Sequence, residues 1–108
     1  GDMLELGRYS VIEHERIGAL ARASADMIVA VGIRARAFGT TPGDTEVMLF
    51  DNAYAAALAL PDLIREGDVV LVKGSQSMRT ERIVEALLTN PEDVVQLVRQ
   101  EKGWKKKT

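Results

Sequence analysis

The chain has 108 residues, one ordinary domain at most. Apolar residues make up 46% and charged residues 28%, which excludes wholesale disorder, collagen and a coiled coil as overall descriptions. Lys and Arg number 14 against 16 Asp and Glu, so no strong field draws the chain to nucleic acid. With no cysteine, disulfides, thiolate catalysis and Cys-based zinc sites are excluded, and a single histidine excludes a multi-histidine metal site. No apolar run approaches the roughly 20 residues of a membrane span, and no signal peptide is visible. A soluble cytoplasmic protein without a membrane span is the expectation.

Helical and strand-like segments alternate, the mark of an α/β domain. Gly1 to Leu4 reads as the end of a strand, followed by a turn over Gly7 to Tyr9. Ser10 and Glu13 form a capping box for a helix ending near Ser24 to Asp26. Ile17, Leu20 and Ala21 share one face of it, with His14 on the same side. His14 there reads more simply as a hydrogen-bonded structural histidine than as a catalytic one. Met27 to Val31 is continuously apolar, as in a strand covered on both faces.

A short helix is expected over Ile33 to Phe38, then a loop over Thr40 to Asp44 and a strand over Glu46 to Phe50. Asp51 or Asn52 caps an alanine-rich helix, which Pro61 splits into 52–59 and 61–66. Asp68 to Val72 reads as a third buried strand. Lys73-Gly74-Ser75-Gln76-Ser77 is a polar loop, and a helix over Met78 to Thr89 turns Ile83, Val84 and Leu87 inward. Asn90-Pro91 restarts a last helix with Val94, Leu97 and Val98 on one stripe and Trp104 as an anchor. Lys102, Lys105, Lys106 and Lys107 make a solvated tail.

Ligands of open parallel sheets lie beyond the carboxyl ends of the strands. Asp2 to Leu6, Gly32 to Arg34 and Lys73 to Ser77 occupy that edge. No G-x-x-x-x-G-K-[ST] and no G-x-G-x-x-G after a strand is present, so the chain is not a self-contained ATPase or dinucleotide enzyme. Lys73 to Ser77 offers a glycine for close approach, a cation and two hydroxyls. The plainer reading of the same stretch is a βα loop with Ser77 as a helix cap.

Two stretches in order are more specific. Gly1-Asp2-Met3-Leu4-Glu5-Leu6-Gly7 is followed by Ser10 and His14, and Asp68 to Arg79 is followed by Glu81. Together they resemble two segments of the Mur ligase family. The branch in question joins D-alanyl-D-alanine to a UDP-N-acetylmuramoyl tripeptide in peptidoglycan synthesis. The resemblance covers nearly the whole chain and is similar to the family's C-terminal domain.

The resemblance implies a Rossmann-like three-layer α/β domain with a mostly parallel sheet, truncated at the N-terminus. Residues 1–101 would be this domain without its first strand and helix, which carry the family's D-x-YNANP segment, and 102–108 a basic tail. In the family, ATP phosphorylates the tripeptide carboxylate and the dipeptide amine attacks the acyl phosphate. ATP and magnesium belong mostly to the domains not in this chain, so the chain is expected to bind neither alone, to hold no catalytic residue or metal ligand, and to be inactive. Its partners would be the two substrates and the missing N-terminal and central domains. Substrate binding is assigned to Asp2, Met3, Leu4, Lys73, Gly74, Ser75 and Ser77, with His14 and Arg79 secondary. Gln76 stands where the family carries arginine. The alternatives are a non-catalytic α/β interaction module using an exposed sheet edge, or the same domain of a related ligase with another amino substrate.

Overall fold

The computed structural model describes residues 1–88. The β-branched run Met27–Val31 forms β1, and Glu46–Phe50 forms β2. They pair in parallel, from Met27 opposite Glu46 to Val31 opposite Phe50. A parallel pair needs a crossover. Residues 32–45 supply it, with a 3-10 helix over Arg34–Thr40. This element is tighter and longer than the expected helix over 33–38, and it runs through Gly39.

Helix α1 spans Ser10–Ser24. The expected capping box is absent. Tyr9 is the N-cap without a side-chain bond, and Glu13 pairs instead with Arg16 at 2.9 Å. His14 and Gly18 are buried and Ile17 and Ala21 half-buried. Leu20, expected on that face, is exposed, because two residues past Gly18 lies the far side of a helix.

Helix α2 spans Ala53–Ala59, and Asn52 caps it by accepting the Ala55 N–H at 2.9 Å. Around Pro61 a 3-10 turn over Leu60–Asp62 forms in place of the expected helix over 61–66. Helix α3 spans Glu81–Leu87. It starts later than Met78, because Arg79 adopts the left-handed conformation (φ 54°) and ends a 3-10 turn over Gln76–Met78. The expected end at Thr89, the helix after Asn90-Pro91, the Trp104 anchor and the lysine tail lie outside the described residues.

The core gathers Val31, Ala53, Ala56, Leu60 and Ile83, with Val29, Phe50, Val72 and Met78 against them. Helices α2 and α3 therefore cover one face of the sheet. Strand alternation sends Ile28 and Ala30, both buried, to the other face. Helix α1 packs on the 3-10 helix and on β1.

Asp68–Val72 is the main departure from expectation. It forms no strand, and Val69 and Leu71 are 99% and 84% exposed. The cause lies in the neighbouring row. The Gly32 N–H donates to Phe50 O, so the N–H and C=O groups of Val31 and Val29 face away from β2. On that side Val31 O accepts the Asp2 N–H at 3.0 Å, and Asp2 O accepts the Ser75 N–H at 2.9 Å. Gly1–Asp2 thus forms a middle row between β1 and residues 73–75. No described residue continues that row beside Val29, so 69–72 has no ladder neighbour. Among the described residues the fold is α/β with a two-stranded parallel sheet, consistent with the expected class.

One side chain of α1 ties the crossover at four points. The Arg22 guanidinium donates to Phe38 O, Gly39 O, Gly43 O and Thr45 O at 2.6 to 3.3 Å. Arg22→Ala is expected to cost about 2 kcal/mol, in the range for hydrogen bonds from a charged donor. Arg22→Lys should recover little of it, since one ammonium cannot span four carbonyls. Urea unfolding measures both, as a lower midpoint at unchanged slope.

Candidate functional site

The amino-terminal stub and the turn after residue 72 meet at the carboxyl end of β1. Three successive stub amides find three different acceptors. The Asp2 N–H donates to Val31 O, the Met3 N–H to His14 Nε2 at 2.9 Å, and the Leu4 N–H to Ser75 Oγ at 2.7 Å. The Ser75 N–H returns a bond to Asp2 O. Glu5 then turns the chain out of the row in a left-handed conformation, φ 68°.

Asp2 is 3% exposed. Its Oδ1 accepts the Ala35 N–H at 2.7 Å, and its Oδ2 lies 3.7 Å from Arg34 Nη1. The carboxylate therefore anchors the start of the 3-10 helix. Gly32 makes room for it: a Cβ there would fall 2.5 Å from the carboxylate, and its φ of 107° is one that side chains avoid.

His14 is fully buried. Its Nδ1 lies 2.7 Å from Ser10 O and 3.4 Å from Ser10 Oγ. Because the Met3 amide can only donate, Nε2 must carry the lone pair and Nδ1 the proton, which goes to Ser10 O. The ring also rests against Phe38, with centroids 6.2 Å apart.

On the turn, Lys73 O accepts from the Gly1 amine at 2.7 Å, while the Lys73 side chain is exposed. Burial lowers the pKa of that amine, Asp2 opposes the shift, and Lys73 adds to it. Gly74 and Ser77 are half-buried, and the Ser77 hydroxyl makes no hydrogen bond among the described residues. Ser77 is not the cap of α3, whose N-cap is Thr80. Arg79 turns inward: its guanidinium is buried and paired with Glu81, and its Nη1 has no partner among the described residues.

The structure thus gathers Asp2, Met3, Leu4, His14 and Ser75 into one network, sets Lys73, Gly74 and Ser77 on the adjoining turn, and takes Arg79 off the surface. Reasoning from the sequence missed Ser10 and Ala35 as backbone partners and Gly32 as the space for Asp2. Only the glycine directly after an apolar strand hinted at the last.

These features define an α/β domain with two loops gathered at the carboxyl edge of a parallel strand. No protein-family model matches the chain, and no solved structure matches it with significance. Two curated proteins do, both UDP-N-acetylmuramoyl-tripeptide–D-alanyl-D-alanine ligases. The one from Escherichia coli (strain K12) is 39% identical over 93 residues, covering 83% of this chain and 20% of the relative. The one from Mycobacterium leprae (strain TN) is 37% identical over 97 residues, covering 82% of this chain and 19% of the relative. The chain belongs to the Mur ligase family, and it spans about a fifth of the length of these relatives.

Gly32→Ala and Gly67→Ala separate the space for Asp2 from backbone conformation. Both glycines have positive φ, but a Cβ at Gly67 meets nothing within 4 Å. Gly67→Ala is expected to cost about 1 kcal/mol and Gly32→Ala about 3 kcal/mol or more. Equal losses in urea unfolding would contradict the Asp2 contact.

Proposed function

We propose that the chain is the C-terminal, amino-substrate-binding domain of a cytoplasmic ligase that adds D-alanyl-D-alanine to a UDP-N-acetylmuramoyl tripeptide. The meeting of the two motif stretches carries this reading: Leu4 N–H on Ser75 Oγ, and Ser75 N–H on Asp2 O, across more than 70 residues of sequence. They meet beyond the end of β1, where open α/β sheets receive ligands. The names of the two relatives support the reaction.

The dipeptide has a carboxylate at one end and an amine at the other. The stub spends the N–H groups of Asp2, Met3 and Leu4 internally, so none is left for a carboxylate. Among the described residues the Lys73 ammonium and the Ser77 hydroxyl, both on the turn, have no partner. We therefore assign the carboxylate to the turn. The amine end then faces the acyl group presented by the rest of the enzyme. Holding the two reactants together contributes by positioning, and closure of the domains over them excludes water.

ATP and magnesium enter this chemistry in the whole enzyme. Among the described residues no group of three His, Asp or Glu could hold a metal ion, and the chain carries no glycine-rich loop ending in lysine. These residues do not fit the pair, and no step through nucleotide or metal is derived from them. The work left to this chain is to bind and orient the dipeptide.

One observation favours a second reading, an interaction module: the exposure of Val69 and Leu71, with the edge of β1 at Val29 unpaired among the described residues. Sedimentation discriminates, since an edge-paired dimer would support the module.

The ligase reading is tested by Lys73→Ala in the ligase that contains this sequence. The KM for D-alanyl-D-alanine should rise about tenfold, the loss of one hydrogen bond from a charged donor, with the tripeptide KM unchanged. An unchanged dipeptide KM would remove the turn from the site. The 108-residue chain alone is expected to turn over no ATP.

A further inference from the structure

His14 does more than fill the core of α1. A buried histidine on a helix is satisfied locally when Nδ1–H reaches a carbonyl one turn back, and here it reaches Ser10 O at 2.7 Å. The other nitrogen leaves the helix altogether. Nε2 accepts the N–H of Met3, the residue between Asp2, held by β1, and Leu4, held by Ser75. The ring is fully buried and rests against Phe38. Its tautomer is dictated by its two partners.

We infer that His14 is the positioning residue of the stub–turn rim, fixing the Met3 amide inward through Nε2 and so setting the wall against which the dipeptide lies. The inference rests on the dipeptide reading above. His14 touches no substrate. It acts through Met3, and it removes from the wall the one amide that would otherwise compete with the turn for the dipeptide carboxylate. A merely structural histidine would need its Nδ1 bond to Ser10 as much as its Nε2 bond to Met3. A positioning histidine depends on Nε2.

Two substitutions separate the bonds. His14→Gln places an acceptor near the Nε2 position and gives up the donor to Ser10. His14→Asn keeps a donor near Nδ1 and gives up the acceptor for Met3. Both are polar and compact, and dispersed amide spectra report whether each folds. The probe is D-alanyl-D-alanine, titrated into the 108-residue chain and followed by the amide signals of Met3, Leu4 and Ser75. His14→Gln should bind within about threefold of the parent, whereas His14→Asn should bind about tenfold more weakly, with the Met3 amide shifted toward a solvent-exposed position. Equal losses in the two variants, or equal retention, overturn the positioning role and leave the dipeptide site standing. If the parent chain itself shows no response at the stub or the turn, the dipeptide reading fails and the inference fails with it.

Discussion

The rim is governed by a satisfaction problem. Three consecutive amides of the stub leave the sheet where no regular ladder can serve all of them. An amide buried without a partner costs about 1 to 3 kcal/mol. The chain solves this with three unlike acceptors: the carbonyl of Val31, the imidazole of His14 and the hydroxyl of Ser75. Each acceptor comes from a different element, so β1, α1 and the turn after residue 72 are tied through three neighbouring residues. Asp2 adds a fourth tie through its carboxylate, to the start of the crossover at Ala35.

The elements legible in the sequence are those whose signals are local. β1, β2 and α2 follow from a β-branched run, a bounded apolar segment and an asparagine cap on alanines. Where the outcome depends on a neighbour, local signals mislead. Asp68–Val72 has the composition of a buried strand, but strand formation needs an adjacent row, and among the described residues no backbone lies paired beside it. Ser10 and Glu13 have the spacing of a capping box, but the Ser10 carbonyl is the partner of His14 and Glu13 has Arg16 within reach. Arg79 ends a 3-10 turn in a left-handed conformation, which nothing in its side chain announces.

The meeting of the stub and the turn was legible in the sequence, the roles of their residues were not. Reading order along the chain places the stub and the turn on one edge, and they lie there. The carboxylate of Asp2 is the instructive case. An acidic residue at a rim invites a ligand role, but at 3% exposure its oxygens are occupied by Ala35 and Arg34. What Asp2 gives the site is the path of its backbone. The side chains of Lys73 and Ser77, by contrast, take no partner among the described residues.

The same open row explains why side chains carry so much of the rim. In a complete parallel sheet, a ladder on both edges of the middle row would hold the stub, and its end would inherit that rigidity. Among the described residues the row is paired at its tip, through Val31 and the residues around Gly74. Ladder bonds cooperate along a strand, so a tip held alone receives little help from its neighbours. The orientation of Met3 and Leu4 must then come from groups whose own positions are independently secured. His14 is secured by burial in α1 and by Ser10, and Ser75 by its own bond to Asp2 O. A rim built this way keeps its geometry as long as those two side chains keep theirs, whatever lies alongside Val29.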